Sequence, residues 1–304
     1  MVRKPKIILL AGPTASGKSK LAISLSKKLN GEIVNADSMQ VYKEFKILTS
    51  RPNLQDKKKI KHHLYGIISV RKKFSTGNWL KLTTNLITKI LKKKKIPVIV
   101  GGTGLYFKAL LDGLVEIPSI PLKFRNEIRK YHKAIGQEKF YNKLLKLDPK
   151  IKSFISLNDT QRSLRAYEVK KYTKKSLYQW IEGTKPNFDE NLFLKIFLNP
   201  PRDRLINKIN LRVERMFKEG ANKEVKKFLI LNVKKDKSAN KIIGIKEISS
   251  FLKKDLTLEN TKELIKIRTR QYAKRQFTWA RGKMTSWEMI NPKNYKEILK
   301  KVTY

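Results

Sequence analysis

The 304-residue chain contains no cysteine, which removes disulfides, thiolate nucleophiles and cysteine-based zinc sites together. A reducing, cytoplasmic setting is the simplest expectation. Histidine is nearly absent too, with three residues, and neither adjacent His62-His63 nor distant His132 has the i,i+4 spacing of a helical metal pair. No metal is assigned to them, and His62-His63 reads as structural support. Acidic residues are scarce: 25 Asp and Glu stand against 70 Lys and Arg, a net charge of +45. Long apolar runs are missing as well. No stretch approaches the roughly 18 apolar residues of a membrane span. "MVRKPKIILLAG" has the basic start of a secretory leader, but its apolar run, Ile7 to Ala11, is shorter than the usual core of about 7–15 residues. A soluble protein without a membrane partner is expected.

Hydrophobic residues at 40% and charged ones at 31% describe a globular chain. The length suggests one large or two modest domains. Such a charge balance nominates a polyanionic partner, nucleic acid first. Lysine runs such as "DKKKIK", "LKKKKIP" and "VKKYTKK" are spread along the whole chain, however, as they are on ordinary solvated faces.

One stretch carries more. Gly12-Pro13-Thr14-Ala15-Ser16-Gly17-Lys18-Ser19 fits G-x-x-x-x-G-K-[ST], the loop whose backbone amides cradle phosphates. Its surroundings suit that role. "KIILLAG" before it reads as a buried strand, and Leu21, Ala22, Leu25 and Leu29 after it recur at helical spacing up to a stop at Asn30-Gly31. "EIVNADS" reads as a second strand. "HHLYGIISV", "IPVIVGGTGLY" and "ENLFLKIFLNPP" suit further buried strands, with helical "NWLKLTTNLITKILKKKK" between the first two. The fold class is therefore α/β: a P-loop NTPase-like parallel sheet core, residues 1–117 and 193–304. Residues 118–192, opened by "VEIPSIPLK" and closed by "IEGTKPNFDE", are mostly helical in pattern and read as an inserted domain. Past Pro201 the pattern is helical almost to the end.

An ordinary phosphate-loop NTPase holds magnesium with a second acid at a strand end. "PVIVGG", "IISVRK" and "KIFLNPP" offer none; only "EIVNADS" does, with Asp37. Asp37 is then either a magnesium ligand or a general base for a nucleophile attacking a bound diphosphate compound. In "IRTRQYAKRQFTWARGK" Arg270, Lys274 and Arg281 share one helical stripe, which suits a row of phosphates. Tyr272 and Trp279 share another, which reads as core. In "NDTQRSLRAYEV", Asn158 or Asp159 can cap a helix that projects Gln161, Arg162 and Arg165 within about one turn, a group suited to RNA edges and phosphates.

Together these pieces resemble the tRNA dimethylallyltransferases, also called tRNA isopentenyltransferases. The resemblance rests on "GPTASGKS", "NADSMQVYK", "TSRP" (49–52), "HHL" (62–64), "PVIVGGTGLY", "NDTQRSLRAYEV", "RVERMFKEG" and "TRQYAKRQFTW", in this order, over nearly the whole chain. It implies a reaction in which no phosphoryl group moves. The loop, Gly12 to Ser19, would hold the diphosphate of dimethylallyl diphosphate, and the prenyl group would pass to N6 of the adenosine 3′ of the anticodon. The inserted helical domain would grip the tRNA anticodon stem-loop.

Residue by residue, the resemblance makes Asp37 the base that takes the N6 proton. Lys18 and the loop amides would stabilise departing pyrophosphate, with Ser19 holding Mg²⁺ and Arg212 as a second pyrophosphate cation. Ser38, Met39 and Gln40 would meet the target nucleotide. Thr103, Arg125 and the run Gln161, Arg162, Ser163, Leu164 and Arg165 would contact tRNA, with Arg270 and Lys274 added by the stripe. A monomer is implied. Several positions depart from the family pattern: Gly66 stands where an aspartate is common, Asn78 where another acid often sits, and Ile245 in place of an aromatic. Ser163-Leu164 is reversed, and Ala280 is smaller than usual. These bear on packing more than on the groups assigned to chemistry. A small-molecule or nucleotide kinase would share the loop and turn over ATP, leaving the Arg-rich helices unexplained. A tRNA-binding protein that has lost catalysis would bind without product.

Overall fold

In the computed structural model, which describes residues 6–294 and Ile298, the chain divides into two units. One comprises residues 1–111 and 187–304; the other is the continuous segment Asp112–Pro186. The insertion thus begins and ends six residues earlier than the 118–192 read from composition. The proline-punctuated "VEIPSIPLK" lies inside the helical unit rather than at its edge.

The first unit is built on a six-stranded sheet in the order β3-β2-β4-β1-β5-β6. Its strands are β1 (Ile7–Ala11), β2 (Gly31–Asn35), β3 (His62–His63), β4 (Ile96–Gly101), β5 (Phe193–Leu198) and β6 (Glu288–Ile290). Every pairing is parallel. β1 is wholly buried, as its unbroken IILLA run requires of a central parallel strand. Because all strands run one way, their carboxyl ends share one edge. The chain passes from β1 to one side of it at β2 and returns to the other side at β5, the reversal at which open α/β sheets bind ligands.

"EIVNADS" and "IPVIVGG" form strands as read. "HHLYGIISV" does not. Only His62 and His63 pair, with Ile33 and Val34, because Leu64 and Gly66 take φ values of 63° and 61° and turn the chain out of the extended region. Beyond them Ile68 makes an isolated bridge to Tyr42. β6 leaves no signal in the sequence either, since three residues are too few for a period to show. Both histidine side chains have structural partners: His62 Nδ1 lies 2.7 Å from Ile60 O. His63 Nε2 meets buried Glu32 at 2.7 Å, where Lys95 Nζ joins at 3.1 Å.

Helix α1 (Lys18–Lys28) buries the expected Leu21, Ala22 and Leu25. α2 (Leu54–Lys59) is short, and α3 (Thr76–Lys92) opens on a Ser75–Asn78 capping box. That assigns a role to Asn78: as N3 it returns a bond to the cap backbone, which an acid would also do. α4 (Gly104–Asp112) follows β4. In the helical unit, α5 (Leu122–Ile135), α6 (Gln137–Leu147), α7 (Thr160–Thr173) and α8 (Leu177–Glu182) surround a small core of Tyr141, Leu144, Ile151, Ile155 and Ala166. The chain then completes the first unit with α9 (Arg202–Lys218), α10 (Ala221–Ile230), α11 (Ile245–Leu252) and the 26-residue α12 (Leu258–Lys283). None of the described helices is long and apolar enough to cross a membrane.

The departures at Ile245 and Ala280 are packing positions: both are buried, in separate apolar clusters of the first unit. Gly66 leaves room for a different group. A Cβ there would lie 1.6 Å from Arg51 Nη1, whose guanidinium instead donates to the Tyr42 and Lys43 carbonyls.

Candidate active site

Ala11 ends β1, and the chain then folds as a loop whose last residue, Gly17, caps α1 with φ 95° and no side-chain acceptor. The first N–H groups of α1 are left to a ligand, at the positive end of the helix dipole. Lys18 folds back, its Nζ donating to Pro13 O at 3.1 Å. Burial lowers its pKa to about 8; Asp37 opposes that shift and Arg212 adds to it. Thr14, Ala15, Gly17, Lys18 and Ser19 line a cavity of roughly 790 Å³, within the usual range for small-ligand sites. Gly12, Pro13 and Ser16 lie buried beneath.

Asp37 lies two residues past β2 and lines the same cavity. Asn35 holds it in place: Asn35 Oδ1 accepts from Asp37 N at 2.9 Å, and Asn35 Nδ2 donates to Asp37 O at 3.0 Å. Asn35 is fixed in turn by Trp79 Nε1, which donates to its carbonyl at 2.7 Å. Asp37 Oδ1 accepts from Met39 N at 2.9 Å. None of the described residues donates to Oδ2, so one carboxylate oxygen remains for a ligand. Thr103 Oγ1 accepts from Ser38 N and donates to Ser38 Oγ, which brings two expected tRNA contacts together. Met39 and Gln40 line the cavity, Gln40 Nε2 donating to Thr49 O at 2.8 Å.

α9 supplies further cations. Arg212 donates from Nη1 to Thr14 Oγ1 at 2.6 Å and from Nη2 to Leu48 O at 3.2 Å. Its pKa is pulled down by burial, against the pull of Asp37. Lys208 and Arg215, four residues before and three after, turn to the same cavity. That spacing in the sequence could have nominated them.

α12 departs from its sequence reading. Tyr272 lines the cavity rather than the core, with Arg275 beside it. Trp279 packs as expected, with its ring where a Cβ on Gly104 would lie 2.2 Å away. Gln276, which the sequence did not single out, is central: Oε1 accepts from Thr14 N at 2.9 Å, and Nε2 donates to Gly102 O at 2.9 Å. A Cβ on Gly102 would lie 2.2 Å from that Nε2. Gly102 and Gly104 thus admit α12 against the sheet edge. Arg270 does not line the cavity. It pairs with Glu263 at 2.8 Å and reaches Asn210, so the stripe keeps Lys274 and Arg281 as its exposed members.

In the helical unit Asp159 caps α7 through Arg162 N, and Arg162 pairs back with Asp159 at 3.4 Å. Gln161 is exposed and Leu164 half-buried. Ser163 is a correction: it is fully buried, its Oγ donating to Asp159 O, which takes it off the surface. Arg125 and Arg165 are ion-paired with Glu168, a buried carboxylate that Arg129 also approaches. Each guanidinium keeps further donors free of that carboxylate.

No group of three or more His, Cys, Asp and Glu among the described residues could hold a metal. The Ser19 hydroxyl is exposed on the cavity wall next to Lys18. A single hydroxyl of this kind suits Mg²⁺ that takes its other ligands from phosphate oxygens and water.

The fold and the cavity together define a parallel-sheet α/β protein in which residues of the loop after β1 and the carboxylate of Asp37 line one cavity. Residues 40–283 match the family model described as IPP transferase. The chain is 58% identical over 302 residues to the tRNA dimethylallyltransferase of Pelagibacter ubique, covering 99% of this chain and 96% of that protein. It is 42% identical to the tRNA dimethylallyltransferase of Rickettsia massiliae, covering 98% and 84%. Among solved structures, the tRNA isopentenylpyrophosphate transferase of Bacillus halodurans superposes with a TM-score of 0.69 at 32% identity, covering 98% and 97%. A eukaryotic dimethylallyltransferase acting on tRNA superposes with 0.79 at 31%, covering 91% and 70%. The chain belongs to the IPP transferase family.

Proposed function

We propose that this site transfers a dimethylallyl group from dimethylallyl diphosphate to N6 of the adenosine 3′ of the anticodon in tRNA. The carrying observation is that Asp37, with one oxygen unbonded, shares a single cavity with Lys18, Ser19 and Arg212. The diphosphate rests on the loop amides, Lys18 and Arg212. As the C1–O bond breaks, its electron pair leaves with pyrophosphate, whose growing charge these cations stabilise. N6 forms the new bond to C1 and gives its proton to Asp37 Oδ2. Adenine's amino lone pair is delocalised into the ring, so removing the proton must accompany attack. Bound Mg²⁺, held by the Ser19 hydroxyl and phosphate oxygens, would supply charge neutralisation for the leaving group.

Leu48, Leu211, Met216, Ile242, Ile243 and Ile265 give the cavity apolar walls suited to a five-carbon chain. Ser38 and Thr103 place hydroxyls near Asp37 for the nucleotide. The helical unit, with Arg162 and the Arg125–Glu168–Arg165 group, serves the anticodon stem-loop, and the protein works as a cytoplasmic monomer. Incubation with unmodified tRNA and dimethylallyl diphosphate, followed by mass measurement of the nucleosides, tests the reading. A prenylated adenosine is expected. ATP hydrolysis with no such product would point to a kinase, and tRNA binding with no product to a lost catalyst.

A further inference from the structure

We infer that Glu224, on the first turn of α10, is a positioning residue for the diphosphate site. Its carboxylate collects three consecutive backbone N–H groups from a segment far away in sequence. Oε1 accepts from Lys46 at 2.6 Å and Ile47 at 2.9 Å, and Oε2 from Leu48 at 2.9 Å. Successive amides converging in this way form a concave anion seat, here filled by the protein's own carboxylate. The segment needs it. Residues 46–51 close on themselves through Ser50 N to Ile47 O and Arg51 N to Lys46 O, with Ser50 at φ 49°. That tight turn leaves those three N–H groups facing outward from it.

Glu224 does not line the cavity, but Leu48, Thr49 and Ser50 do. Leu48 O accepts Arg212 Nη2, and the other arm of Arg212 reaches Thr14 in the phosphate loop. The carboxylate therefore fixes the Leu48 amide, the Leu48 carbonyl orients the guanidinium, and the guanidinium faces the diphosphate. Phe228, one turn further along α10, stacks obliquely on Phe45 at 4.9 Å and keeps the helix against the segment. The inference rests on Arg212 acting as a pyrophosphate cation.

A double-mutant cycle on the full chain, assayed with tRNA and dimethylallyl diphosphate, tests it. Glu224→Gln keeps the side-chain shape but turns one acceptor into a donor facing an N–H. The expected result is a loss of about tenfold in kcat/KM for the diphosphate, with KM for tRNA within about twofold. In an Arg212→Ala background the same change should cost less than about twofold. An equal loss in both backgrounds would overturn the inference, since a merely structural role is indifferent to Arg212. So would parental kinetics in Glu224→Gln. If Arg212→Ala alone keeps parental kcat/KM, the pyrophosphate reading of Arg212 fails first and the inference with it. Should Glu224→Gln not fold, Glu224→Asp runs the same cycle, with about a threefold loss expected beside Arg212 and none without it.

Discussion

Gln276 Oε1 accepts the Thr14 N–H at 2.9 Å across 262 residues of sequence, while its Nε2 donates to the carbonyl of Gly102. One amide therefore ties α12 to both the phosphate loop and the end of β4. Its neighbours reinforce the tie: Leu205 and Ile209 of α9 and Ala273 of α12 form an apolar contact against Ala15, inside the loop. The C-terminal helices thus brace the loop after β1.

Gln276→Leu keeps most of the volume and removes both hydrogen bonds. It leaves a donor and an acceptor unpaired in a mostly buried place, a cost of about 1–3 kcal/mol. Pyrophosphate affinity, titrated by calorimetry, should fall by roughly tenfold, while tRNA affinity changes little. An unchanged pyrophosphate affinity would show that the loop holds its shape without α12.

Lys18 carries a pH signature. Burial brings its ammonium down to about 8, and in the proposed reaction the diphosphate binds the protonated form. Affinity should therefore be full below pH 8 and fall as pH rises through it, by about tenfold at pH 9. Lys18→Arg stays charged over this range and removes any change due to the ligand's own titration, so the ratio between the two proteins is the quantity to measure. A ratio constant from pH 7 to 9 would contradict the assignment.

Glu168 is the buried counter-charge of Arg125, Arg129 and Arg165 in the helical unit. Glu168→Gln leaves three guanidinium groups facing one another, although each is partly open to water. A loss of about 2–3 kcal/mol in the stability of that unit follows, below the value for a fully buried pair. Denaturant unfolding followed through Trp180, the only tryptophan between residues 112 and 186, reads it out. An unchanged midpoint would mean that the arginines need no partner there.

Much of this was legible in the sequence because the signals are local. The phosphate loop sits between an apolar run and a 3.6-residue period, and Asp37 follows a strand directly. Their placement is as read: the loop joins β1 to α1, and Asp37 lies two residues past β2. What could not be read depends on residues meeting across long separations. Gln276 and Glu224 look like ordinary polar helix residues until the fold sets one beside Thr14 and the other beside Lys46 to Leu48. Tyr272 has the spacing of a core aromatic, yet the cavity opens on that face of α12. Arg270 shares a stripe with Lys274, but Glu263 lies within reach of it on the same helix. Ser163 sits next to exposed Arg162 in sequence, yet it lies on the buried side of α7, where its hydroxyl donates to Asp159 O and accepts from Gln137 Nε2. "HHLYGIISV" differs for another reason: its apolar content is that of a strand, while Leu64 and Gly66 adopt backbone angles that end one.

In the proposed reaction Asp37 takes the N6 proton. Extruding the target adenine from a stacked loop costs on the order of a few kcal/mol, which contacts elsewhere on the tRNA must offset, so tRNA affinity should barely sense one carboxylate. Asp37→Asn keeps the acceptor that Met39 N uses and removes the base. Single-turnover prenyl transfer with both substrates saturating is the direct measurement. The expected rate is lower by at least roughly a hundredfold, with near-parental binding of both substrates and no recovery on raising Mg²⁺. Recovery with Mg²⁺ would make Asp37 a metal ligand instead, and an Asp37→Asn protein that prenylates tRNA at the parental rate would contradict the account outright.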